Sequence, residues 1–236
     1  MLPSISVLIP AYNEEACIES TVRAVVDCLS AYQIPYEIII LNDGSSDGTE
    51  HVIAFLLTRF PSVIRMLRHD TNQGIARTYE DLYCAARMEY VVDFAADGQV
   101  DPHILQKMLP LIPEHDMIIC RRTETHYGWM RTFVSYCFRL LPRLLFGIDT
   151  IDPGCAKLQR KEIVNIPLIS NGVFREAERI IRAKKHGYRI GSVDIVAHPA
   201  GNNSGANVRL VLVGLFDMLK LYFYLVILPR ITPSSR

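Results

Sequence analysis

Two short acidic stretches carry residue types whose spacing could do chemistry. In Ala95-Ala-Asp-Gly-Gln-Val-Asp-Pro102, Asp97 and Gln99 stand two residues apart, so both side chains leave an extended segment on the same side. A carboxylate and a carboxamide oxygen are hard ligands suited to Mg2+ or Mn2+, with water and a diphosphate completing the shell. Asp-Gly is also a common turn, and the pattern alone fits either use. In Asn42-Asp-Gly-Ser-Ser-Asp-Gly-Thr49, Asp43 ends an apolar run, Gly44 and Gly48 permit a tight turn, and Asp47 suits a helix N-cap. A carboxylate at Asp43 can accept hydrogen bonds from a base or a ribose. A plain capped turn would need the same residues.

A third constellation is basic. Arg131, Ser135, Arg139 and Arg143 recur every four residues and so share one stripe of a helix. Five arginines lie between positions 121 and 143, opposed only by Glu124. The stripe is either a solvated helix face or a site for an anionic phosphate. A phosphate nucleophile is ionised near neutral pH and needs little help from a general base. The histidines at 51, 69, 103, 115, 126, 186 and 198 show no ligand spacing, and none is assigned a role.

These residues need a scaffold, and the hydrophobic pattern supplies one. Apolar runs at 6–9, 36–41, 63–67, 90–94 and 116–120 alternate with helical stretches at 14–30, 47–60 and 74–88, and a further helix after Pro102. Strands apolar throughout and separated by helices predict an α/β fold with a mostly parallel sheet covered by helices on both faces. Ligands in such sheets bind beyond the carboxyl ends of the strands, where positions 10–14, 42–49 and 95–99 fall. The second half reads as more helical: 127–146, 173–186, a strand at 188–196, and an almost wholly apolar 208–228. One domain over 1–206 followed by an amphipathic helix over 207–236 is expected.

The chain has 236 residues, half of them hydrophobic, and zero formal charge, which excludes disorder and argues against a nucleic-acid partner. The zero conceals an asymmetry. Residues 1–100 hold 6 basic and 14 acidic side chains, while 101–236 hold 19 basic and 11 acidic. The first half suits cations and the second an anionic ligand or membrane surface. Six cysteines without a CxxC, and no signal-like N-terminus, predict reduced thiols and a cytoplasmic location. In the stretch 210–228, Asp217 and Lys220 make spanning a bilayer costly, and with Arg209 they fall on one side of the helix. That predicts peripheral membrane contact rather than a crossing, with packing on the protein as the competing use.

Taken together, SVLIPAYNEE at 6–15, YEIIILNDGSSDGT at 36–49, NQG at 72–74, ADGQ at 96–99 and DPGCAKLQRKE at 152–162 resemble glycosyltransferase family 2, with its GT-A, Rossmann-like fold. The likeness is to the dolichol-phosphate and polyprenyl-phosphate mannosyl- or glucosyltransferases within it. It implies a nucleoside held by Pro10, Tyr12, Glu14 and Asp43, and a metal, Mg2+ or Mn2+, held by Asp97 and Gln99. Asp97 is then the residue on which catalysis depends. Arg121 or Arg122 would lie near the diphosphate, and Arg131 with Ser135 would receive the acceptor phosphate. The implied reaction is inverting hexosyl transfer from a GDP- or UDP-linked sugar to a polyprenyl phosphate at the cytoplasmic membrane face. Transfer to a glycan or small-molecule hydroxyl, and a catalytically silent nucleotide-sugar-binding protein, are the alternatives. Glu178 falls where related transferases carry an acid near the acceptor, although a surface role is favoured. The chain departs from the family pattern at Ala95, where an acid is usual, and near Ala200 and Ser204, where basic residues are common.

Overall fold

A computed structural model describes residues 3–123, 129–170, 172–196 and 208–228. The chain forms two compact units. The first comprises Met1–Glu124, Cys155–Val164 and Arg189–Ala200; the second comprises Thr125–Gly154, Asn165–Tyr188 and Gly201–Arg236.

The first unit is built on a seven-stranded sheet. Its strands are β1 (Ile5–Ala11), β2 (Tyr36–Asp43), β3 (Ile64–His69), β4 (Tyr90–Asp93), β5 (Met117–Arg122), β6 (Lys157–Arg160) and β7 (Ile190–Ile195), in the spatial order β3-β2-β1-β4-β6-β5-β7. All pairings are parallel except those of β6, which runs antiparallel to both β4 and β5. Successive residues of β2 point to opposite faces, and Ile38, Ile39, Ile40 and Leu41 are all fully buried, because helices cover both sides. Ile38 and Ile40 join the core under α1 (Ile18–Tyr32) and α2 (Thr49–Arg59). Ile39 and Leu41 join the core under α3 (Ile75–Ala85). This is the α/β architecture the alternating pattern predicts.

Two local differences from the sequence reading have physical causes. β6 escapes a hydrophobic-pattern reading because Lys157-Leu-Gln-Arg160 offers one apolar side chain in four. Lys157 is nevertheless buried, its ammonium donating to the Cys155 carbonyl at 3.0 Å and lying 3.9 Å from Asp93. The first helix begins at Ile18, not at position 14: residues 15–17 form an isolated turn in which the Glu14 carbonyl accepts from the N–H groups of Cys17 and Ile18, and Cys17 is the helix N-cap. Residues 12–17 are thereby left as a loop at the carboxyl end of β1.

Two short helices, α4 (Leu105–Met108) and α6 (Lys161–Val164), belong to the first unit. The second unit is helical, with α5 (Trp129–Phe146), α7 (Arg175–Lys185) and α8 (Val208–Tyr222), the last continuing as a π-helical turn over Phe223–Ile227. Phe174, Ala177 and Ile181 pack with Met218 and Leu221 to form its core, and Phe138 and Leu141 of α5 border it. Residue 214 must be glycine because a Cβ there would sit 2.8 Å from the Phe138 ring.

Candidate functional site

The loops following β1 and β2 form one hydrogen-bonded assembly. Ala11 pairs with Asn42 in the sheet, so the two chains leave it side by side. Asn42 Oδ1 accepts from the N–H of Ser45, closing an Asx turn. Asn13, at a left-handed φ of 56°, donates its N–H to Ser45 Oγ and accepts from the N–H of Ser46. The N–H of Glu14 donates to Thr49 Oγ1, and Glu15 Oε2 accepts from the N–H of Gly48 at 2.6 Å. Asp47 accepts from both the N–H and the hydroxyl of Thr49, holding the first helical residue from one position ahead of the N-cap, which is Gly48 and not Asp47.

Glu14 and Asp97 are brought together at this end of the sheet. Burial, then the charges of Asp97 and Asp47, push the Glu14 carboxyl above its ordinary value. Asp97 lies beyond the end of β4, half-buried, and accepts from both the backbone N–H and the side-chain amide of Gln99. Among the described residues no group of three or more His, Cys, Asp or Glu is arranged to hold a metal. The donor set at Asp97 and Gln99 nonetheless fits a hard divalent cation that takes only two protein oxygens and keeps water and a diphosphate as its other ligands. The crowding of Glu14 by Asp97 is what such a cation relieves. Tyr12 stands beside this loop with 47% of its surface exposed, an aromatic ring open to a stacking partner. Pro10 is buried at the penultimate position of β1.

Asp43 is the last residue of β2, at the same edge of the sheet. It is 3% exposed and already carries several donors: the N–H of Gln73 at 2.9 Å, the N–H of Gly74 at 3.0 Å, and the His69 ring at 2.6 Å. Burial alone would raise its pKa. Those donors, with the Thr78 hydroxyl, outweigh burial and hold the carboxyl below its usual value. Its most direct work in the fold is to fix the turn at 71–74. That turn also presses on Gly44, whose φ is +68° and where a Cβ would lie 2.7 Å from the Asn72 nitrogen.

The basic residues are committed as well. Arg121, at the end of β5, makes a two-pronged ion pair with Asp194 of β7 at 2.6 and 3.0 Å. Arg122 is half-buried at the last position of β5. In the second unit, Arg139 and Arg143 are exposed along α5 as the stripe predicts, and Ser135 is half-buried. Arg131 belongs to the same helix, with its side chain outside the described residues, as are Ala200 and Ser204. Glu178 corrects the expectation of a surface role. It is fully buried and accepts from the N–H groups of Ile169 and Ser170 at 3.0 and 2.8 Å and from Arg182 at 2.6 Å. Its neighbours Arg175, Arg179 and Arg182 suggested a solvated helix, whereas α7 turns this acid inward to cap loop backbone.

The sequence reading missed His69. It sits between Asp43 and Asp81, 26 residues after the first and 12 before the second, a separation that no local motif reveals.

Comparison with known proteins gives the family and the fold. The family model of glycosyl transferase family 2 matches residues 6–166. Glycosyltransferase AglD of Haloferax volcanii is 28% identical over 247 residues, covering 97% of this chain and 38% of the relative. Dodecaprenyl-phosphate galacturonate synthase of Rhizobium johnstonii is 22% identical over 226 residues, covering 94% of this chain and 67% of the relative. The chain thus spans well under half the length of the first of these relatives. Glucosyl-3-phosphoglycerate synthase of Mycobacterium tuberculosis, solved with Mn2+, UDP and phosphoglyceric acid, superimposes with a TM-score of 0.71 at 20% identity, over 92% of this chain and 78% of that one. That likeness shows the GT-A fold. With two-thirds of its length inside the family model and the family's turns assembled at the sheet's carboxyl edge, this chain belongs to glycosyl transferase family 2.

Proposed function

We propose that this chain is an inverting, metal-dependent hexosyltransferase that moves a sugar from a GDP- or UDP-linked donor to a polyprenyl phosphate, working peripherally on the cytoplasmic face of a membrane. Pro10, Tyr12 and Glu14 hold the nucleoside, with Asp43 holding the adjoining turn in place. Asp97 and Gln99 hold Mg2+ or Mn2+, which when bound offsets the negative charge building on the departing nucleoside diphosphate. Arg121 adds a second positive charge there when it exchanges Asp194 for the diphosphate. Arg131 and Ser135 bind the acceptor phosphate, whose oxygen attacks the anomeric carbon from the side opposite the leaving group.

The observation that carries the lipid acceptor is the outer face of α8. Leu212, Phe216, Leu219 and Phe223 are exposed at spacings of four, three and four, while Gly214, Met218 and Leu221 are buried. Among the described residues this helix alone is long and apolar enough to cross a membrane, yet its inner face is packed against its own unit. A helix with one face in protein and the other apolar and exposed suits the membrane interface. Asp217, an acid that argued against spanning the bilayer, turns inward onto Gly172. Of the relatives, dodecaprenyl-phosphate galacturonate synthase is named for the same acceptor class. Transfer to a hydroxyl would need a base, and Glu178 is unsuited because it is buried and triply bonded.

The test is transfer by the full chain from UDP- and GDP-sugars with Mn2+ to undecaprenyl or dolichyl phosphate in vesicles, to 3-phosphoglycerate, and to free glycans. A lipid-linked, anomerically inverted product is expected. Transfer only to 3-phosphoglycerate or to a glycan overturns the lipid acceptor, and nucleotide binding with no transfer to any of them supports a silent binding protein.

A further inference from the structure

His69 ends β3 directly beside Asp43 in the sheet register. Its Nδ1 lies 2.6 Å from Asp43 Oδ1 and its Nε2 lies 3.0 Å from Asp81 Oδ2. Ionised carboxylates only accept, and a neutral imidazole has one N–H to give. Two such partners therefore require the doubly protonated ring, or else one of the two bonds is lost. Asp43 remains ionised because the N–H groups of Gln73 and Gly74 also point at it. The charged groups acting on the ring are Asp43 from β2 and Asp81 from α3, and Arg77 of α3 holds Asp81 at 2.9 Å. The ring is only 15% exposed, so water is a poor substitute for either carboxylate.

The two contacts join three elements. Asp43 fixes the Gln73–Gly74 turn, in which Gly74 has a φ of +84°, and His69 ties Asp43 to the helix that the turn opens. Neighbouring residues Thr71 and Asn72 rest on Gly44, in the loop hydrogen-bonded to Asn13 and Glu14. A proton on His69 is thus connected, through the Asp43 hydrogen bonds and the close approach of Thr71 and Asn72 to Gly44, to the wall of the donor site.

Resting on the donor site proposed above, we propose that His69 is a positioning residue for the nucleotide. As an imidazolium it clamps Asp43 to Asp81, holds the 71–74 turn in its binding form, and makes nucleotide affinity depend on its own protonation.

By linkage, a nucleotide that favours the protonated ring must raise the ring's titration midpoint by the same factor. The experiment follows the His69 imidazole of the full chain by NMR across pH, alone and with saturating UDP or GDP and Mn2+. Nucleotide affinities of the wild type, Asp81→Asn and His69→Gln are measured alongside. A rise in the midpoint by about 0.7 unit or more is expected, the fivefold lower end of ordinary coupling between sites. Asp81→Asn, which keeps every Asp43 contact, lowers the midpoint and weakens binding. His69→Gln removes that part of the pH dependence which does not come from the nucleotide's own phosphate. Nucleotide bound with an unmoved midpoint overturns the role of His69 alone. Absence of binding by either nucleotide overturns the donor site, and this role with it.

Discussion

Glu14 and Asp97, 83 positions apart in sequence, meet as two negative charges at the carboxyl edge of the sheet. The Asp97 charge adds to partial burial in making ionisation of the half-buried Glu14 less favourable. A divalent cation at Asp97 reverses the sign of that influence. Donor binding should therefore extend to lower pH with Mn2+ than without it, because a group whose pKa is raised is the first to lose its charge as pH falls. Nucleotide affinity as a function of pH, with and without Mn2+, checks this.

Removing the carboxylate goes further. Asp97→Ala should lower kcat/KM by about 100-fold or more, the range seen when one preorganised transition-state contact is deleted. Excess EDTA should abolish turnover in the wild type, and Mn2+ should restore it. Unimpaired transfer in EDTA would remove the metal from the proposal.

Asp194→Asn addresses the second positive charge proposed for the diphosphate. It releases Arg121 from its exposed ion pair, so the donor KM should fall, by no more than about fivefold given the modest strength of such pairs. Arg121→Ala should raise the same KM. Steady-state kinetics on both variants decide whether Arg121 serves the donor or only β7.

A purely structural charge cluster offers a control away from the site. Glu37 is buried in β2 and accepts from Ser6 Oγ at 2.6 Å, the N–H of Arg87 at 2.8 Å and Arg65 at 2.8 and 3.0 Å. Burial would raise its pKa, but these donors pull it below the usual 4.5. Its contribution to stability is therefore complete above the unfolded carboxylate's pKa and disappears as pH falls through the lower, folded one. Glu37→Ala leaves Arg65 without its carboxylate and should cost about 3 kcal/mol at neutral pH, or roughly 6–12 °C in Tm. The deficit should shrink below pH 4 in thermal melts.

Phe216→Asp should leave nucleotide affinity unchanged and weaken binding to anionic vesicles by about tenfold or more, since burying a Phe is worth about 1.5–3 kcal/mol. Flotation with phosphatidylglycerol vesicles measures it. Equal flotation of variant and wild type would leave the outer face of α8 without lipid as its partner.

The turns were legible in the sequence because their chemistry is local: Asp47 accepts from Thr49 two residues on, and Gly44 takes the φ that only glycine takes readily. What pattern could not reveal was how charged residues are shared between distant strands. Lys157 and Gln159 sit in a buried strand without apolar alternation. Glu178 stands among arginines that imply water, yet it points inward because two backbone N–H groups at 169 and 170 need an acceptor. Asp43 shows the same limit. Its position at a strand end was readable, but the donors already on it come from 26 to 31 residues away.

Asp217 sits near the middle of α8 with its carboxylate turned onto Gly172, where a Cβ would come within 3.4 Å of it. Together with Gly214 against the Phe138 ring, it fixes how the helix is turned about its long axis. This acid acts as a key in a slot. The choice of which side chains face outward is made inside the protein, before any surface is met.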